Sequence, residues 1–202
     1  MLTFAAAVFF LIITPGPGVL STAGVGSAFG AKPGVRYVFG LFLGTNLVAL
    51  AVVSGIAAVV LADARIRTVL FLCSTAYLLY LALRIALAGA KVAFIEARNP
   101  PGVLNGLMLQ FINPKAYAVN TALFSGFSFL PGNLLAEILL KFLITNAIWI
   151  PIHFLWLGLG IKLRQLDLPP RTHRAINIAM SLSMLAVVAL AVVTFLVGPA
   201  GG

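Results

Sequence analysis

Residues 107–124 read LMLQFINPKAYAVNTALF. The stretch is apolar enough to lie in a bilayer, yet Lys115 stands in its middle and an Asn113-Pro114 step precedes the lysine. A spanning helix needs about 20 mostly apolar residues, and the apolar run here extends over 103–129. Lys115 is more than ten residues from either end, roughly 16 Å at 1.5 Å per residue, whereas a lysine stem reaches only about 6 Å. Snorkelling or bonding to backbone carbonyls is the structural alternative. A charge at that depth costs about 2.5–3.5 kcal/mol on insertion scales, so the preferred expectation is a functional cation facing the bundle interior. Proline removes a backbone donor and opens the helix, so Lys115 should begin a second half-helix.

The surrounding chain supports a membrane setting. Of the 202 residues, 62% are apolar and 8% are charged, and the mean hydropathy is +1.14. A soluble domain has about a quarter charged residues, so this chain could not cover a water-facing surface. Six stretches are long and apolar enough to span: 3–28, 37–61, 69–88, 103–129, 138–161 and 175–197. Short polar or Pro/Gly segments separate them, and none leaves room for a second domain. The expectation is an all-α membrane protein with one transporter domain over 1–202. The N-terminal MLTFAAAVFFLIIT has no basic region and no small-residue cleavage site, so it reads as the first helix.

The net charge of +9 would suggest anionic partners in a soluble protein. Here no basic run interleaves with aromatics, and topology explains it better. Lys32, Arg36, Arg84, Lys91, Arg98, Lys162, Arg164, Arg171 and Arg174 flank loops one, three and five. Arg65, Arg67 and Lys141 flank the others. The bias places the first group in the cytoplasm and both termini outside a cytoplasmic (inner) membrane. Cys73 is the single cysteine, expected to be a small buried hydrophobe. No metal-ligand cluster, bound cofactor or nucleic-acid partner is expected.

The two halves match each other. Thr14-Pro15 interrupts helix 1, Pro33-Gly34 opens helix 2 and Thr45-Asn46 lies within it. Asn113-Pro114 interrupts helix 4, Pro131-Gly132 precedes helix 5 and Thr145-Asn146 lies within it. The offsets are 99, 98 and 100 residues. Repeats of three helices (about 1–90 and 100–202) must enter the membrane from opposite sides. Two inverted repeats with broken helices 1 and 4 are a known transporter architecture, with the site where the breaks meet.

In Thr14-Pro15-Gly16-Pro17-Gly18, two prolines and two glycines make an unbroken helix untenable. Freed backbone groups in hydrocarbon must face protein or a watery cavity. The half-helix restarting near Gly18 would present N–H groups and a positive dipole end suited to a carboxylate. A packing kink is the alternative. Asn46 and Asn146 can each bind substrate or join helices. Gln110, one turn before the second break, is expected to line the same cavity. His153 could carry a proton but reads first as a packing residue, as do Tyr77 and Tyr80. Asp63, Glu96, Glu137 and Asp167 all fall in loops or at helix ends, leaving the spans without a carboxylate.

At these residues the chain resembles the lysine exporter family (LysE/RhtB) of bacterial amino-acid exporters, over essentially its whole length. The resemblance rests on TPGPG (14–18), GLFLGTN (40–46), AYLLYLALR (76–84), GLMLQFINPKA (106–116) and INIAMSLSMLAVVAL (176–190). It implies six helices and proton-driven efflux of amino acids or close derivatives. The PGP element falls on Pro15, Gly16 and Pro17, and the NPK element on Asn113, Pro114 and Lys115. The chain departs from the family at several places. Many members carry an aspartate near Asn46, near Asn146 or at both. Ser125-Gly126-Phe127 replaces a usual Pro-Gln-Phe, and Ser181 a usual glycine. The missing acids argue against ordinary proton coupling and cationic substrates.

The expected function is export of a zwitterionic amino acid or similar metabolite by alternating access. Its carboxylate would sit at Lys115 and Gly18, and Asn46 and Asn146 would hold the rest or line the gates. The alternatives are efflux of another small anion or metal ion, or a non-transporting structural or assembly protein. An intramembrane enzyme lacks its signatures, since neither HExxH nor GxSxG occurs. Gly40 and Gly44 permit a homodimer, but such spacing more often serves packing within a small bundle.

Overall fold

A computed structural model describes residues 1–14, 16–55, 63–87, 100–130 and 132–166, then 169–172, 174–176, 178–179, 181–182, 185–186 and 189. Pro15, Lys91, Glu96, Arg98, Pro131, Asp167 and His173 lie outside these described residues.

Every regular element among the described residues is a helix. They are α1 (Leu2–Ile13), α2 (Pro17–Phe29), α3 (Ala31–Val53), α4 (Ala64–Leu87), α5 (Val103–Ile112), α6 (Pro114–Gly126) and α7 (Leu134–Gln165). The described residues from 170 to 189 are also helical. α3, with 23 residues, and α7, with 32, are long and apolar enough to cross a membrane. α1 and α2 together make a third candidate, bent by 51° at their junction. The expected break in the 103–129 span is present, because α5 ends and α6 begins around Asn113.

Several boundaries move. The GAKPGVR segment forms the first turns of α3, since Pro33 needs no backbone donor there. ADARIRT, expected as a loop, is helical from Ala64. Asp63 Oδ1 accepts from the Arg65 and Ile66 N–H groups at 2.7 and 3.3 Å and so caps α4. α7 begins at Leu134 and runs to Gln165, beyond the expected 138–161. Asn133 caps its start by accepting from Ala136 N–H at 3.0 Å. Cys73, expected to be buried, is exposed on α4. An apolar side chain in a membrane protein can face lipid as readily as core.

Two crossings set the frame. α3 lies along α5, and α7 along α2. Both are backbone-to-backbone contacts made possible by glycine. A Cβ on Gly40 would stand 1.9 Å from the Val103 carbonyl oxygen, and one on Gly106 2.2 Å from that of Tyr37. A Cβ on Gly160 would stand 2.1 Å from the Ala23 oxygen, and one on Gly26 2.8 Å from that of Leu157. Gly40 and Gly44 therefore serve packing inside the bundle. Tyr37 Oη donates to Ser21 Oγ at 3.0 Å and ties α3 to α2. Arg164 Nη1 donates to the Ala28 carbonyl at 2.6 Å, closing α7 onto α2. Ser181 Oγ donates to the Ala82 carbonyl at 2.9 Å and joins the C-terminal helical residues to α4.

The opposite end of the bundle is packed through side chains. Phe4, Val8 and Leu123 are buried there, with Phe124, Phe127 and Phe129 against them. Two charged residues stand at this end: Glu137, in the first turn of α7 and so at a helix end as expected, and Lys141, expected to flank a loop on this side. Both are buried, 5% and 3% exposed. They form an ion pair at 2.9 Å, one turn apart on α7. Glu137 Oε2 accepts from the Phe129 and Leu130 N–H groups at 3.0 and 2.6 Å. Lys141 Nζ donates to the Phe124 carbonyl at 3.0 Å and to that of Phe127. The loop after α6 exposes backbone groups that no helix satisfies, and the pair satisfies them (a helix end buried without such partners is costly). Glu137→Gln removes the compensating charge and leaves the ammonium buried. Thermal unfolding in detergent should then begin several degrees lower, with Lys141→Met partly restoring the double variant.

Candidate functional site

The two helix breaks meet. Gly16 takes extended backbone at φ −158°, ψ 178°, and α2 restarts at Pro17 with no side chain capping it. α6 restarts at Pro114, and here the cap exists: Asn113 Oδ1 accepts from Lys115 N–H at 3.1 Å. Asn113 Nδ2 in turn donates to Gln110 Oε1 at 3.1 Å, and both side chains are buried. Of the two half-helix N-termini expected at the site, α2 keeps its first N–H groups uncapped. Its positive dipole end faces the cavity at Gly18 and Val19.

Lys115 is half-buried and reaches across to the other break. Its Nζ donates to the Thr14 carbonyl at 2.8 Å. That carbonyl closes α1, so the ammonium rests on a negative helix end while facing a positive one. An ammonium has three donors, which leaves capacity for a ligand. The approach is close: a Cβ on Gly16 would stand 2.9 Å from both Lys115 Cδ and Nζ. The clash falls on the mobile end of a lysine, so Gly16→Ala should fold and melt like the wild type. The ammonium, however, must leave Thr14. We expect about a tenfold weaker apparent affinity for the transported solute, read as a raised half-saturation concentration in vesicle efflux assays.

Around this junction is a cleft. Thr14, Gly16, Gly18, Gln110, Asn113 and Lys115 line it, five of them among the solute-binding residues expected from sequence; Asn46 and Asn146 are not in its lining. Pro17 is buried at the start of α2, and Pro114 occupies the matching first position of α6. Asn46 and Asn146 pair with each other. Asn46 Nδ2 donates to Asn146 Oδ1 at 3.0 Å, and Asn146 Nδ2 donates to Asn46 Oδ1 at 2.8 Å. This reciprocal pair joins α3 to α7 beside Thr45 and Thr145, which line the cleft.

Sequence reasoning misses one wall. Glu137, Lys141, Thr145, Trp149, His153 and Leu157 recur every four residues on α7 and are all buried. Thr145, Trp149 and His153 face the cleft. His153 stacks on Trp149 with centroids 3.5 Å apart and planes 15° from parallel. Its Nδ1 lies 3.0 Å from the Trp149 carbonyl. A carbonyl only accepts, so Nδ1 carries a proton, and Nε2 is turned toward Gly18. The signal that could have found this wall is polar residues at a helical repeat within an otherwise apolar span.

The family model of the LysE type translocators matches residues 9–196. The chain belongs to the LysE type translocator family. Comparison with curated proteins and with solved structures gives no match. Members of this family are transporters and not enzymes, and the apolar helices described above agree that this translocator is a membrane protein. The resemblance carried by TPGPG and NPK is thus to the family that the match gives.

Proposed function

We propose that this translocator exports amino acids or closely related small metabolites across the cytoplasmic membrane by alternating access. The carrying observation is the Lys115 ammonium, half-buried where two broken helices meet and facing the uncapped start of α2. A solute carboxylate would be received there by Nζ and the first N–H groups of α2. The cleft around this junction holds the remainder of the solute.

The architecture that goes with this reading is six spans in two inverted three-helix repeats, within one domain and with both termini outside. Three observations support it. α3 packs against both halves of the second broken helix, and α7 against both halves of the first. The breaks at Thr14–Gly16 and Asn113 meet through Lys115. Asn46 and Asn146, 100 residues apart, pair reciprocally where α3 and α7 cross. Alternation would rock one repeat against the other about this centre. The function is tested by loading proteoliposomes with labelled amino acids and following efflux. Retention of the whole panel in wild-type vesicles would refute it.

A further inference from the structure

Among the described residues, one buried side-chain polar atom has no hydrogen-bond partner: Thr145 Oγ1. Thr145 is 9% exposed and lines the cleft. A threonine inside a helix ordinarily donates to the carbonyl four residues back. Thr22 does so, onto the Gly18 carbonyl at 2.8 Å. An orphaned buried hydroxyl is costly and calls for an explanation, and here it stands at the wall of a cavity.

Three other acceptors near the lysine are engaged, and His153 Nε2, toward Gly18, is a further nitrogen on this wall. Gln110 Oε1 accepts from Asn113, Asn113 Oδ1 from Lys115 N–H, and the Thr14 carbonyl from Lys115 Nζ. No carboxylate lines the cleft among the described residues. A second cationic group on a solute would therefore be stripped of water without a counter-charge, whereas one ammonium needs only an oxygen. Leu11, Ile12, Val119, Leu123 and Trp149 give the cleft apolar walls, beside the polar Thr45, Asn120 and His153.

We propose that Thr145 is the specificity residue of this cleft: its hydroxyl oxygen accepts from the solute's ammonium, which fits the site to zwitterionic amino acids with apolar side chains and not to cationic ones. This rests on the carboxylate reading of Lys115 given above. The solute's apolar side chain lies against the leucine, isoleucine and tryptophan wall.

The test uses the full-length protein in detergent and two probes, L-leucine and 4-methylpentanoate, which differ only by the amino group. Thr145→Val should weaken L-leucine binding about tenfold or more and leave 4-methylpentanoate unchanged. Its ligand-free melting temperature should be unchanged or raised, because an unsatisfied polar atom has been removed. Thr145→Ser should restore most of the L-leucine affinity. Equal loss of both probes, unaltered L-leucine binding, or a lowered melting temperature in Thr145→Val would each overturn the assignment. Lys115→Ala distinguishes the two readings. If it abolishes binding of both probes while Thr145→Val changes neither, the carboxylate site stands and the threonine assignment fails. If both probes bind Lys115→Ala normally, or neither binds the wild type, the function proposed above fails with it.

Discussion

Lys115→Ala abolishes efflux and leaves the protein folded and inserted. Both halves of that expected result follow from where the ammonium sits. Removing it eliminates a charge from the apolar stretch 103–129, and insertion scales put a charge at the centre of a spanning helix at about 2.5–3.5 kcal/mol against insertion. Within the protein the ammonium donates to the Thr14 carbonyl, and Thr14 is exposed, so water can replace the donor. Transport has no such substitute. A carboxylate entering the cleft would find the α2 N–H groups but no cation, and truncating one partner of a desolvated charge pair costs about 2–5 kcal/mol. Efflux should fall at least a hundredfold at subsaturating solute, with yield and melting temperature within a few degrees of wild type. Lys115→Arg keeps the charge but replaces a compact ammonium by a planar fork, against a glycine that leaves little room. Partial efflux is expected there. Wild-type efflux from Lys115→Ala would remove the basis of the site.

The sequence exposes this lysine because a charge in an apolar span is anomalous on any scale. The same logic makes the breaks legible: proline and glycine interrupt a helix whatever surrounds it, and α1/α2 and α5/α6 divide where Pro15–Pro17 and Pro114 fall. Asn46 and Asn146 are legible as a pair, though not as partners of each other. What stays hidden is which face of each helix turns inward. In a soluble helix the apolar stripe marks the core. In lipid both faces are apolar, so Leu139 and Leu143, exposed on α7, look in the sequence like its buried Leu157. His153 accordingly reads as packing, and Thr145 stands out only beside Asn146. Glu137 reads as a helix-end carboxylate and Lys141 as a loop-flanking charge, and their burial stays hidden because the backbone they satisfy, after α6, is formed by tertiary structure and has no local signature.

Gly40→Ala tests that tertiary structure directly, and it should be the most disruptive single methyl among the described glycines. The added carbon would lie 1.9 Å from the Val103 oxygen, 2.7 Å from the Val103 carbonyl carbon and 3.0 Å from Leu107 N. All three are backbone atoms, so no rotamer change relieves the overlap. α3 and α5 must move apart along the whole crossing. That movement loosens Gly106, where a Cβ would stand 2.2 Å from the Tyr37 oxygen, and Gly44, where one would stand 2.7 Å from Gln110 Cβ. Gln110 carries the hydrogen bond that orients Asn113, so the damage reaches the cap of α6. Overpacking usually costs about 1–3 kcal/mol, and with backbone on both sides we expect ~3 kcal/mol or more. The variant should aggregate or melt far below the wild type on size-exclusion and thermal-shift measurement. Gly158→Ala, on α7, is the matched control: its Cβ meets nothing within 4 Å. Helix propensity alone should make that change neutral or stabilising by up to about 1 kcal/mol. If the two variants behave alike, α3 does not rest on α5 through its backbone, and the frame holding both helix breaks together is something other than glycine-mediated contact.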